Sequence, residues 1–101
     1  MNADVKQKWV AALRSGQYKQ GRGRLRQEDK YCCLGVLCDL SPIGTWESVE
    51  SGIVYFGADV LTPNAVDEWA CLYGSQIATL ATLNDEGKSF SEIADYIEAN
   101  L

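Results

Sequence analysis

The ten residues YCCLGVLCDL, Tyr31 to Leu40, decide how this chain folds, because they are apolar on every side except at Asp39. A run of this length with no polar face fits a buried helix or a buried strand by period and extent alone. The recurrence of Cys33, Leu37 and Leu40 at spacings of four and three favours a helix ending before Ser41-Pro42. Asp29 stands where it can cap the start of that helix, and Gly35 lets another element approach closely. The uninterrupted apolar part, Tyr31 to Cys38, spans eight residues. A membrane helix needs about 20.

Working outward, Asn2 is a candidate N-cap for a helix over residues 3–15, with Val5, Trp9, Val10 and Leu13 on one face and Gly16 as its stop. Between that helix and the apolar run lies QYKQGRGRLR, Gln17 to Arg26. Two glycines punctuate it, so a hairpin turning near Gly21 to Gly23 fits best. On one strand of such a hairpin, a period of two puts Arg22, Arg24 and Arg26 on one face. On the other side, Gly44 to Gly52 reads as a loop containing Trp46, and Ile53 to Phe56 as a strand bounded by glycines. Thr62-Pro63 reads as a helix start, with Thr62 as N-cap and Pro63 at the first position, and that helix should stop near Gly74. Ile77, Leu80, Ala81 and Leu83 mark a short helix ending at Asn84 to Gly87. Ser89 and Glu92 have capping-box spacing and open a last helix with Phe90, Ile93, Ala94 and Ile97 inward. The expected fold class is α+β: one small domain over residues 1–101, with four to five helices packed on a small antiparallel sheet.

Composition narrows the chemistry. The chain has 101 residues, ten of them aromatic and none histidine, so it is globular but lacks the commonest general base and metal ligand. Ser-His and Cys-His catalysis and mixed Cys/His zinc sites are excluded. Cys32, Cys33, Cys38 and Cys71 lack the paired C-x-x-C spacing of a zinc knuckle and read as reduced thiols within the fold. The N-terminus has no apolar core of a signal peptide, so the expected location is the cytoplasm. No cofactor, metal or catalytic residue is expected.

Charge is divided sharply along the chain. Residues 1–30 hold eight of the nine Lys and Arg against three acids, a local net of +5, whereas residues 31–101 hold one lysine against eleven acids, a net of −10. Such asymmetry points to an anionic partner at one end or to ends that attract each other. Glycines let successive N–H groups face an anion and arginines supply paired donors, so Gly21, Arg22, Gly23, Arg24 and Arg26 have the parts of a phosphate or carboxylate site. Tyr18 can stack on a base or belong to the core. The acids of the same chain are the competing partners for these arginines. The acidic body disfavours long nucleic acids and suits a compact, nucleotide-like anion.

The pattern of Trp9, Leu13-Arg14-Ser15-Gly16, Tyr18, Gln20-Gly21, Tyr31 to Leu40, Pro63, Val66, Trp69, Leu83-Asn84-Asp85 and Ser89-Phe90 with Glu92 to Asp95 resembles a family of small proteins encoded by tailed phages and prophages. That resemblance implies an accessory protein acting in the bacterial host cytoplasm, and it carries no catalytic residue to transfer. Two functions follow as expectations. The first is non-catalytic binding of a small anionic ligand or host signal through the basic hairpin. The second is a host-directed protein-interaction module working through its acidic and aromatic surface. A homo-oligomer is compatible with either.

Overall fold

A helix that is apolar all round has to be buried all round, and Cys33–Leu40 (α2) is: the six residues from Cys33 to Cys38 are all buried. The structure, a computed structural model, describes all 101 residues. Ala3–Arg14 (α1) packs on α2, and the Trp9 indole N–H donates to the Cys33 carbonyl at 2.9 Å. Asn2 caps α1 as expected, its side chain accepting from the amides of Asp4 and Val5.

Lys19–Gln20 (β1), Arg26–Gln27 (β2) and Lys30–Tyr31 (β3) form a small sheet in the order β1-β3-β2, with β1 parallel and β2 antiparallel to β3. Trp46–Val49 (β4) and Gly52–Tyr55 (β5) form a separate antiparallel pair. Asn64–Ala70 (α3), Gly74–Asp85 (α4) and Phe90–Asn100 (α5) complete the chain. This is the expected α+β class, with five helices and two sheets in place of one. One cluster of 21 buried residues draws on all the helices. No helix is long and apolar enough to cross a membrane.

The expected hairpin at Gly21 to Gly23 does not form. The reverse turn lies at Glu28-Asp29, between β2 and β3, and β1 pairs with β3. Leu25 is the reason. Its side chain is fully buried, its amide donates to the Asp59 carbonyl at 2.7 Å and its carbonyl accepts from the Cys32 amide at 3.2 Å. That carbonyl lies directly over Gly35, where an added Cβ would stand 1.8 Å from the oxygen. Gly35 thus admits a neighbour as expected, and the neighbour is the arginine-bearing segment itself. Glu28 occupies the turn at φ 57, a position for which the sequence carries no glycine signal.

Other boundaries differ for local reasons. Asp29 does not cap α2; it pairs with Lys19 at 2.8 Å, and the Cys32 sulfur accepts from the Gly35 amide instead. Trp46 to Val49 is strand and not loop because it completes β5. Pro63 sits at the N-cap of α3, and the Thr62 hydroxyl turns to the Asp67 carboxylate rather than to a helix amide. That helix stops before Gly74, at Cys71, which takes the left-handed conformation at φ 56. There Leu72 donates to the Asp67 carbonyl and Cys71 to the Glu68 carbonyl, the closing pattern usually built on glycine, and Gly74 opens α4. The Ser89 capping box forms fully, with Ser89 and Glu92 exchanging 3.1 Å hydrogen bonds.

Gly35→Ala should destabilise the protein by about 3 kcal/mol or more, because its methyl meets backbone that cannot move aside. Gly74→Ala, which meets nothing within 4 Å, should be neutral or stabilising by about 0.5 kcal/mol. Urea denaturation of the two variants checks the contrast.

Candidate functional site

The alternation of side chains expected for the basic segment holds from Arg24 to Arg26 and breaks before it. Leu25 points into the core, so Arg24 and Arg26 emerge on the opposite side and line one cleft of about 230 Å³ with Gln27, Glu28, Ser51 and Gly52. Gly23, at φ 79, turns the chain, and Arg22 leaves in another direction. Its guanidinium lies against Gly87, beyond the end of α4, where a Cβ would meet Nη2 at 2.8 Å. The three arginines therefore do not share a face.

The backbone at the two glycines is occupied by the chain itself. The Gly21 amide donates to the Tyr31 carbonyl at 2.8 Å, and the Gly23 amide donates to the Asp85 carboxylate at 3.1 Å. The Gly21 carbonyl accepts from the side chain of Asn84, which is wholly buried. The anion at this turn is thus a side chain of the same protein.

Arg24 makes one side-chain hydrogen bond and one long ion pair. Its Nη1 donates to the Ser51 carbonyl at 3.1 Å, whereas Nη2 is buried, has no hydrogen-bond acceptor and lies 3.8 Å from the Asp59 carboxylate. Buried donors without an acceptor are uncommon because each forfeits its hydration. The Arg26 Nε donates to the Glu28 carbonyl at 2.7 Å. Its guanidinium carbon lies 5.0 Å from the centre of the Tyr31 ring and 5.4 Å from that of Trp46, within reach of both π faces.

Those rings belong to a row. Tyr18, Tyr31, Trp46 and Tyr55 meet edge to face in sequence, with centroid separations of 5.1, 5.8 and 5.0 Å. Asp39 ties two of them together, accepting from the Tyr18 hydroxyl at 2.5 Å and from the Trp46 indole at 3.0 Å. Tyr18 is therefore a member of this row and not a free stacking platform. Burial pushes its phenol ionisation well up, and the Asp39 carboxylate pushes it further by holding the proton and repelling the phenolate. Asp39, Trp46, Ser51, Gly52 and Asp59 are absent from the residues the sequence singled out as a site. The isolated charge of Asp39 within an apolar run was the one visible signal among them.

The four cysteines are free; Cys32, Cys33 and Cys38 are buried and Cys71 is exposed. Burial pushes all three interior thiols up, away from the thiolate a nucleophile or metal ligand needs. No group of three or more Cys, Asp or Glu side chains is placed to hold a metal ion.

Residues 1–76 match a family described as a domain of unknown function, DUF8296, and the chain belongs to that family. The matched region contains both sheets and every residue lining the Arg24–Arg26 cleft. No curated protein and no solved structure matches the chain.

Asp39→Asn should lower the pH at which Tyr18 ionises, since it removes the repelling charge and leaves burial, with a smaller contribution from Tyr31, to raise it. A tyrosinate absorbance titration near 295 nm, with Tyr18→Phe to assign the transition, checks this.

Proposed function

We propose that this protein is a non-catalytic binding module that takes a small anionic, nucleotide-like ligand at the cleft carrying Arg24 and Arg26. The observation that supports this reading is that Arg24 and Arg26 line one cleft, with one Arg24 nitrogen, Nη2, lacking any hydrogen-bond acceptor within the protein. Gly21, Arg22 and Gly23 belong to the turn that positions this segment and are not ligand contacts in this reading. The net charge of −10 over residues 31–101 repels extended polyanions and leaves a compact anion as the partner able to reach the cleft. The likeness to tailed-phage and prophage proteins adds a setting, an accessory protein meeting a host signal in the bacterial cytoplasm.

A second reading has its own support. Val49, Phe56, Val60 and Leu61 are large apolar residues with 44–59% of their surface exposed, all within the segment that follows α2. A host protein docking there would cover them.

A thermal-shift series with nucleoside monophosphates and sugar phosphates tests the first reading. Ligand at roughly 100 times its dissociation constant should add about 2.7 kcal/mol of stability. Arg24→Ala should abolish the gain and Arg22→Ala should preserve it. Absence of any gain, together with a host protein captured equally by wild type and Arg24→Ala and lost in Phe56→Ser, would favour the second reading.

A further inference from the structure

Independently of what the Arg24–Arg26 cleft takes, we infer that the outer edge of β4 is a docking site for an extended, basic segment of a partner protein, which joins β4 and β5 as a third strand.

The free edge follows from the register. The Tyr55 amide donates to the Ala58 carbonyl at 2.8 Å and its carbonyl accepts from the Ala58 amide at 2.9 Å, so both groups point away from β4. Trp46, which stands opposite Tyr55, therefore belongs to a non-hydrogen-bonded pair. By the two-residue alternation of an antiparallel ladder, so does Ser48 opposite Ile53. The N–H and C=O groups of Trp46 and Ser48 thus face outward, and no other strand of the chain pairs with them.

This strand is held extended in the free protein. The Trp46 ring stands edge-on to Tyr31 and Tyr55, its indole donates to Asp39, and the Tyr55 hydroxyl accepts from the Gly44 amide just before the strand. An ordered strand with unmet backbone groups is the template that strand addition uses, and its order lowers the entropic cost of docking. Trp46 to Val49 carries no proline and no lysine, two residues that commonly block such an edge.

Side chains choose the partner. Glu47, Ser48, Val49 and Glu50 are exposed, and neither glutamate takes part in an ion pair. Residues 31–87 hold eight Asp and Glu and no Lys or Arg. Arg24 and Arg26, which the fold brings to this hairpin, are engaged by the Ser51 carbonyl and by the Glu28 carbonyl and Trp46 ring. A second copy fits poorly, because the two-fold pairing through Trp46 and Ser48 sets the two Glu47 side chains opposite each other. A strand with a cation opposite Glu47 and an apolar residue opposite Val49 gains a favourable pair at each position.

The test titrates the full chain with the end-capped peptide Thr-Lys-Val-Thr-Lys-Thr, whose lysines fall opposite Glu50 and Glu47 in antiparallel register. The control peptide carries glutamate in place of both lysines. Amide NMR should show the Trp46 and Ser48 N–H signals moving saturably with the lysine peptide, and the glutamate peptide should bind about fivefold or more weakly. Ser48→Pro removes an outward donor and no internal hydrogen bond, so it should keep the fold and weaken the lysine peptide by about fivefold or more. If Ser48→Pro fails to fold, the double variant Glu47→Lys, Glu50→Lys carries the test by reversing the preference between the peptides. Equal binding of the two peptides overturns the basic partner. Undiminished binding by Ser48→Pro, or Trp46 and Ser48 signals that neither peptide moves, overturns the edge. Movement of those signals with protein concentration alone assigns the edge to a second copy and overturns the inference too.

Discussion

The Leu25 carbonyl lies so close to α2 that only the bare Cα of Gly35 can face it. Everything distinctive about the N-terminal half follows from this contact between two stretches of backbone. It commits Leu25 to the core, and with Leu25 inward Arg24 and Arg26 must leave on the other side. The two ends of the segment are pinned separately. Asn84 holds the Gly21 carbonyl and, through its own oxygen, the amide of Cys33 at 3.1 Å and the Gln20 side chain at 3.0 Å. One buried amide side chain therefore joins β1, the turn and the start of α2, using acceptor and donor together. Burying such a group is favourable only when its partners are all present, which makes the arrangement cooperative.

What the sequence disclosed was what neighbouring residues determine. Asn2 and the Ser89–Glu92 pair cap their own helices, and the inward residues Trp9, Leu37 and Ile93 follow from a period that needs no distant partner. The course of Gln17 to Arg26 was not legible, because it depends on Gly35, Asn84 and Asp59, which lie far along the chain. The two glycines of that segment suggested a hairpin, and the actual hairpin turns at Glu28, a residue that rarely adopts positive φ. For the site, the basic segment was visible and its geometry was not. The step of two from Arg24 to Arg26 is set locally, whereas Ser51 and Gly52 come from a different sheet.

The charge division along the chain is answered in part within the molecule. Arg14 bridges Asp95 at 2.6 Å and Glu98 at 3.1 Å, Lys19 pairs with Asp29, and Asp85 receives the Gly23 amide. These contacts are exposed and individually weak. Their effect is to pair Arg14 and Lys19 within the molecule. Arg24 and Arg26 stand apart because the first has its acid at 3.8 Å and the second faces aromatic rings. The distinction between the arginines comes from their surroundings and could not come from their spacing.

The packing of α1 against α5 has a consequence for how the protein is made. The Arg14 and Glu98 side chains that meet across this boundary are 84 residues apart. At about 5–20 residues per second, the ribosome adds that stretch on the order of 10 s after α1 emerges. For that interval the apolar face of Val5, Trp9, Val10 and Leu13 has no α5 to close over it. The domain must therefore complete its core after most of it has been synthesised, with its first helix waiting for its last.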